Sequence, residues 1–185
     1  MRGWTAAFVA ALLSVSPALA QQEGLPGDSH GTTRLAPQQR QMLATVARNA
    51  ATAIQLGNLG GTRAGESRLS QLSQSMAVTN GGLAQQLAQV AGPENLPLRE
   101  RLDEAEIARL RALAGNDRTG FSRELVGWIT RHYPDTIRNI ESLGEGDPRY
   151  AALAEATLPQ LREQLAAAQQ LAQAAMEGEA PRQPH

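Results

Sequence analysis

The fold is decided by residues 121–176, which read FSRELVGWITRHYPDTIRNIESLGEGDPRYAALAEATLPQLREQLAAAQQLAQAAM. Apolar residues recur three and four positions apart in this stretch, as they do on one face of a helix. The repeat is interrupted at the turn Leu143–Pro148. Within the turn, Asp147 suits an N-cap and Pro148 suits the first residue of the next helix. We therefore expect two long helices folded back on each other, each kinked at its internal proline.

The first half of the chain predicts a second helical hairpin. Pro37 suits the first turn of a helix, and an apolar stripe follows it as far as a break near Gly65. A second stripe runs from Ser67 to Ala91, and Gly92 is expected to end that helix. The apolar residues of this second stripe alternate three and four apart, which is a seam suited to antiparallel packing in a bundle.

A short accessory helix is expected in the connector between the two hairpins. Asp103 and Glu106 have the spacing of a capping box, and Gly115 is expected to cap the other end of the helix. The next long helix is expected to begin near Phe121. The chain is therefore predicted to be all-α, a four-helix bundle of two helical hairpins with a short accessory helix in the central connector.

Composition argues against several kinds of function. The formal net charge is −1 and the arginines are scattered, so no basic stripe is available to a phosphate backbone. The absence of cysteine excludes disulfides, thiolate metal sites and cysteine nucleophiles. No apolar run approaches the roughly 20 residues that a transmembrane helix needs. We therefore expect no nucleic-acid partner and no transmembrane segment.

The N-terminus has the pattern of a cleaved signal peptide. Arg2 precedes the apolar run Ala6–Leu13, and residues 18–20, Ala-Leu-Ala, form a small-x-small cleavage site. This pattern predicts export to the periplasm. The expected organisation is a signal peptide over residues 1–20, a flexible leader over 21–36, the bundle over 37–176 and a disordered tail over 177–185.

Several short motifs occur in the order and spacing of one protein family. They are Ala53–Leu59 in the first helix, Leu72–Met76 and Leu87 in the second, Leu96-Pro97, Gly115 ahead of Phe121-Ser122, Asp147-Pro148, and Thr157–Glu163 in the last helix. With these motifs the chain resembles the bacterial exported, ferritin-like helical family described as domain of unknown function 4142. The resemblance covers about residues 39–172, and the motif Thr157–Glu163 is its most specific part.

The resemblance implies a metal-type site at the centre of the bundle. Members of the family typically have a glutamate in the first long helix and histidines in the other three, like the ligands of metal-binding bundles. In this chain those positions fall on Ala53, Asn80, Tyr133 and Gln164. His132 comes one position early, which is about 100° around a helix and takes it off the inward face. The expected ligands are therefore replaced at all four positions.

These replacements leave two interpretations of the centre open. In the first, Asn80, Tyr133 and Gln164 form a buried hydrogen-bond cluster, because a buried polar group without a partner costs about 1–3 kcal/mol. In the second, the same three residues and Ala53 line a pocket for a small ligand at the kinked centre of the bundle.

His132 is the remaining candidate for chemistry, since the other two histidines lie in the predicted tails. Asp135 and Trp128 are each about one helical turn away, so His132 could form an ion pair with Asp135 or a ring stack with Trp128. The favoured interpretation is an exposed histidine with ordinary surface contacts. No nucleophile with a positioned base and no phosphate-binding glycine motif is recognisable, so no catalytic residue and no cofactor is predicted.

The predicted function is therefore that of an exported, non-enzymatic protein of the bacterial envelope, which acts by binding or by structural interaction. The molecule that it binds is predicted to be either an envelope partner or a small ligand. The sequence does not predict the oligomeric state. The alternative is a metal-binding or metal-oxidising ferritin-like protein that uses His132 together with a carboxylate.

Overall fold

The computed structural model describes residues 35–63, 66–92 and 102–179. In these ranges the chain forms five helices, α1 Pro37–Arg63, α2 Ser67–Ala91, α3 Glu104–Gly115, α4 Arg118–Gly146 and α5 Pro148–Glu179. Helices α1 and α2 form one hairpin, and α4 and α5 form the other. Contacts of α1 with α4 and of α2 with α5 join the hairpins into a bundle, and α3 contacts α1 and α4. The predicted all-α bundle with a short connector helix is confirmed.

The ends of α3 and the start of α4 are set by side-chain caps. The predicted capping box is present, with Asp103 Oδ1 accepting from the Glu106 N–H at 2.8 Å and Glu106 Oε2 accepting from the Asp103 N–H at 3.2 Å. Gly115 is the last helical residue of α3 and not its cap, which is Asn116. Helix α4 starts at Arg118, earlier than predicted, because Asp117 Oδ1 accepts from the Gly120 N–H at 2.7 Å.

The turn between α4 and α5 has the predicted N-cap. Asp147 Oδ1 accepts from the Arg149 backbone N–H at 2.9 Å, and the Arg149 guanidinium contacts both carboxylate oxygens. These hydrogen bonds hold the pKa of Asp147 below its ordinary value. Helices α4 and α5 continue through Pro134 and Pro159, and the expected kinks at these residues stay predictions.

Two segment boundaries extend past their predicted positions. Leu35, which was expected in the leader, is buried in the core with 3% of its surface exposed. Helix α5 continues to Glu179, past the start of the predicted tail. The predicted signal peptide, the rest of the leader and residues 180–185 lie outside the described residues.

The core lies between the four long helices, and the predicted apolar stripes face it. Burial of a leucine or isoleucine side chain contributes about 1.5–3 kcal/mol, so these residues supply most of the stability of the bundle. The largest fully buried apolar side chains include Leu43, Leu56, Leu69, Met76, Leu83, Leu87, Phe121, Leu125, Ile129 and Ile140. No helix in the described ranges is long and apolar enough to cross a membrane.

Helices α1 and α2 pack closely at two glycines of α1, with Gly57 against the α2 backbone and Gly60 against the Ser73 side chain. A Cβ atom added at Gly57 would lie 2.5 Å from the Ser73 backbone oxygen and 2.8 Å from the Ala77 backbone nitrogen. A Cβ atom at Gly60 would lie 2.6 Å from the Ser73 Cβ. Only hydrogen fits at these two positions, so the glycines permit the close packing that sets the separation of the first hairpin.

Candidate functional site

The four positions that the family resemblance assigns to metal ligands all face the centre of the bundle. Ala53 comes from α1, Asn80 from α2, Tyr133 from α4 and Gln164 from α5. Their exposed fractions are 0%, 1%, 1% and 3%. Each long helix therefore contributes one residue of this group of four. None of the four side chains is a carboxylate or an imidazole.

The three polar residues of this group are directly hydrogen-bonded to one another. Asn80 Nδ2 donates to the Tyr133 hydroxyl at 3.0 Å and also to the backbone oxygen of Met76 at 2.9 Å. The Tyr133 hydroxyl in turn donates to Gln164 Oε1 at 3.0 Å. A phenol can donate one hydrogen bond while it accepts another, so Tyr133 is satisfied on both sides. The hydrogen-bond cluster of the first interpretation is therefore present.

Two further residues of α2 extend this cluster toward the surface. Gln164 Nε2 donates to Thr79 Oγ1 at 2.9 Å and to Ser75 Oγ at 2.8 Å. Thr79 Oγ1 donates to Gln160 Oε1 at 2.9 Å. We call the six residues the polar chain: Ser75, Thr79, Asn80, Tyr133, Gln160 and Gln164.

Sequence reasoning missed Ser75 and Gln160 as members of this cluster, and it named Thr79 only as the neighbour of Asn80 at the family's site position. The available signal was the spacing, because Ser75 and Thr79 are four residues apart on α2, as Gln160 and Gln164 are on α5. Residues four apart lie on the same helix face, so two such polar pairs on helices that pack together indicate a polar contact. Recognising it required knowing that α2 faces α5.

The electrostatics of the centre favour neutral groups. Burial raises the pKa of the Tyr133 phenol well above its ordinary value, and the hydrogen bond from Asn80 opposes this only in part. The phenol is therefore protonated at any physiological pH, and its proton is held by Gln164. A neutral, doubly hydrogen-bonded phenol is suited to holding helices together and is poorly suited to accepting a proton or coordinating a cation.

Gln164 also reaches a groove between α2 and α5. This groove has a volume of about 600 Å³ and includes Ser75 and Gln164 in its lining. Ala53, Asn80 and Tyr133 do not line this groove. The role of the four positions as a binding site stays a prediction.

His132 lies beside the bundle centre and not in it. Its ring stacks on Trp128 with the centroids 5.0 Å apart and the planes at 28°. Trp128 in turn meets Tyr133 edge-on at 6.0 Å. Of the two contacts open to His132, the structure therefore contains the stack with Trp128, while the Asp135 carboxylate pairs with Arg138.

The Trp128–His132 stack lines a cavity of about 530 Å³ between α1, α3 and α4. We call this the α3 cavity. Its lining residues are Asn49, Thr52 and Leu56 from α1, Glu106, Arg109, Leu110, Ala112, Leu113 and Asn116 from α3 and its cap, and Glu124, Trp128, Arg131 and His132 from α4. Desolvation, then the charges of Arg131 and Arg109, lower the pKa of His132, and Asp135 opposes them.

The lowered pKa of His132 predicts a small loss of stability in acid. Because the folded-state pKa lies below the unfolded value of about 6.5, the unfolded chain binds the proton more readily between the two values. The free energy of unfolding is therefore expected to fall as the pH drops through 6.5 toward the folded-state pKa. Urea unfolding at several pH values across this range measures the change. The free energy of unfolding of a His132→Gln variant should depend less on pH. If the variant had the same pH dependence as the wild type, His132 would not be its cause.

No group of three or more histidine, aspartate or glutamate side chains in the described ranges is arranged to hold a metal ion. Of the acidic residues at the start of α3, Asp103 and Glu106 form the capping box. His132 is accompanied in the α3 cavity by two carboxylates and by two guanidiniums, Arg109 and Arg131. Such a mixed lining suits an organic ligand better than a cation.

The fold and the centre define a class of helical bundle in which a polar chain with buried members Thr79, Asn80, Tyr133 and Gln164 links α2, α4 and α5. The chain belongs to the family described as Domain of unknown function (DUF4142), whose model matches residues 25–171. No curated protein and no solved structure has significant similarity to the chain.

Proposed function

We propose that this protein is exported to the bacterial envelope and acts there by binding, without catalysing a reaction. The observation that carries the proposal is the polar chain at the centre of the bundle. The positions where a metal-binding bundle has carboxylates and imidazoles are taken here by a methyl group, two amides and a phenol.

The hydrogen bonds of the polar chain support this proposal in a second way. The Tyr133 hydroxyl contacts both Asn80 Nδ2 and Gln164 Oε1 at 3.0 Å. A metal ion between these atoms would have to replace both hydrogen bonds, and it would gain only neutral ligands in exchange. These neutral groups include neither the carboxylates nor the imidazoles that hold iron and manganese in helical bundles. The centre therefore favours a structural role, which leaves function to the surface and its cavities.

The proposal is tested on protein isolated from the periplasm of a bacterial host, where the N-terminal residue is expected to be Gln21. The protein is loaded with Fe(II) or Mn(II), freed of excess metal and submitted to elemental analysis. We expect far less than one metal ion per chain, both for the wild type and for His132→Ala. Stoichiometric metal that disappears in His132→Ala would overturn the proposal in favour of a metal-binding protein, and retention of Met1 in the cytoplasm would overturn the export part.

A further inference from the structure

The α3 cavity has the size and the lining of a small-molecule site. Its volume of about 530 Å³ lies within the roughly 300–1,000 Å³ of known ligand pockets. Leu56 from α1 and Leu113 from α3 form apolar parts of its wall, and both are buried. The Trp128–His132 stack forms another part of the wall, with the half-buried imidazole as the accessible ring of the pair. The apolar part of the wall is thus suited to a flat, ring-shaped group.

Among the described residues, the charged part of the lining leaves one guanidinium, that of Arg109, without an ion-pair partner. Of the two carboxylates, Glu106 is turned back onto the start of α3, where its Oε2 accepts from the Asp103 N–H at 3.2 Å. Glu124 lies 3.8 Å from Arg131 and so offsets that charge. In the described part of the chain, Arg109 has neither an ion-pair partner nor a side-chain hydrogen bond.

The electrostatic potential at the His132 imidazole is consistent with an arginine nearby that is unpaired in the described ranges. Arg131 and Arg109 both lower the pKa of His132, so positive charge outweighs negative charge at the ring. Desolvation is the larger cause, which indicates that the ring is partly withdrawn from water. An anion bound beside the ring would therefore meet a positive potential.

We propose that the α3 cavity binds a small planar aromatic carboxylate, with its ring against the Trp128–His132 stack and its carboxylate on Arg109. The guanidinium can donate two parallel hydrogen bonds to the carboxylate oxygens, which fixes the orientation of the ligand. The site is separate from the polar chain, since neither Asn80 nor Gln164 lines it. The proposal rests on the proposed binding function and names its ligand class.

The test is isothermal titration calorimetry of the full chain with 2-naphthoate as the probe. We expect saturable binding of one molecule per chain. Arg109→Gln should weaken it about tenfold or more, because a hydrogen bond to a charged group is lost. Arg111→Gln is the matched control: this arginine is on the same helix and also exposed, but it lines a different cavity, so its loss should leave the affinity unchanged.

Two further ligands separate the parts of the proposal. 2-Naphthamide has the same shape without the charge and should bind about tenfold more weakly or worse. Cyclohexanecarboxylate retains the charge without the planar ring, and it should also bind more weakly than 2-naphthoate. Circular dichroism of the variants confirms that they are folded.

Three results would overturn the inference: no binding of 2-naphthoate, equal weakening by Arg109→Gln and Arg111→Gln, or equal binding of 2-naphthoate and 2-naphthamide. None of these bears on the metal content of the protein. The inference can therefore fail while the proposed function stands, and stoichiometric metal dependent on His132 would sink the proposed function without deciding the carboxylate site.

Discussion

Gly57→Ala is expected to lower the free energy of unfolding by about 2–3 kcal/mol, although alanine is the better helix former. The added methyl group would lie 2.5 Å from the Ser73 backbone oxygen and 2.8 Å from the Ala77 backbone nitrogen. Both obstacles are backbone atoms, so no side chain can rotate away, and α1 and α2 have to separate. The gain in helix propensity, about 1 kcal/mol, offsets only part of this cost.

Gly81→Ala is the matched control for this prediction. Gly81 also lies within a helix of the first hairpin, but a Cβ atom added there has nothing within 4 Å. Its replacement should therefore stabilise the protein by about 0.5–1 kcal/mol through helix propensity alone. Urea unfolding followed by circular dichroism measures both variants. If Gly57→Ala were as stable as Gly81→Ala, the close crossing of α1 and α2 would be wrong.

Tyr133→Phe is expected to cost about 2–3 kcal/mol of stability, because removing one hydroxyl leaves two buried groups short of a partner. Gln164 Oε1 loses its donor, and Asn80 Nδ2 keeps only its bond to the Met76 backbone oxygen. The aromatic ring is retained, so the loss of packing is small. The same urea experiment measures this change.

A double-mutant cycle separates the hydrogen bond from other effects of these substitutions. Gln164→Leu removes the acceptor and also the bonds to Ser75 and Thr79. If the polar chain acts as a unit, the double variant Tyr133→Phe with Gln164→Leu should cost about 1–2 kcal/mol less than the sum of the single variants. Additive costs would mean that the Tyr133–Gln164 bond contributes nothing to folding.

The spacing of apolar residues was enough to predict the helices and the bundle, because burial of one helix face leaves a regular trace in the sequence. Helix N-caps could also be predicted from the sequence, as at Asp103 and Asp147. The start of α4 was misplaced although Asp117 and Gly120 carry the signal, since the apolar stripe begins only at Phe121. Caps and stripes need not begin at the same residue.

The inward positions at the centre could also be predicted, because Asn80 and Tyr133 fall on apolar stripes where a polar residue is conspicuous. The hydrogen-bond partners of Gln164 could not be predicted, because the sequence does not show that Ser75 and Thr79 on α2 lie opposite α5. The α3 cavity depends on how a short helix docks on α1 and α4. The apolar residues Ile107, Leu110 and Leu113 indicate that one face of α3 packs, but their spacing does not say against which helices.

The central claim is that direct hydrogen bonds take the place of metal ligands at the centre of the bundle. X-ray diffraction from crystals soaked in Fe(II), with data collected at the iron absorption edge, tests it most directly. We predict no anomalous peak near Tyr133 and direct contacts of about 3.0 Å from its hydroxyl to Asn80 and Gln164. An anomalous peak between these side chains, with the two hydrogen bonds opened around it, would contradict the account.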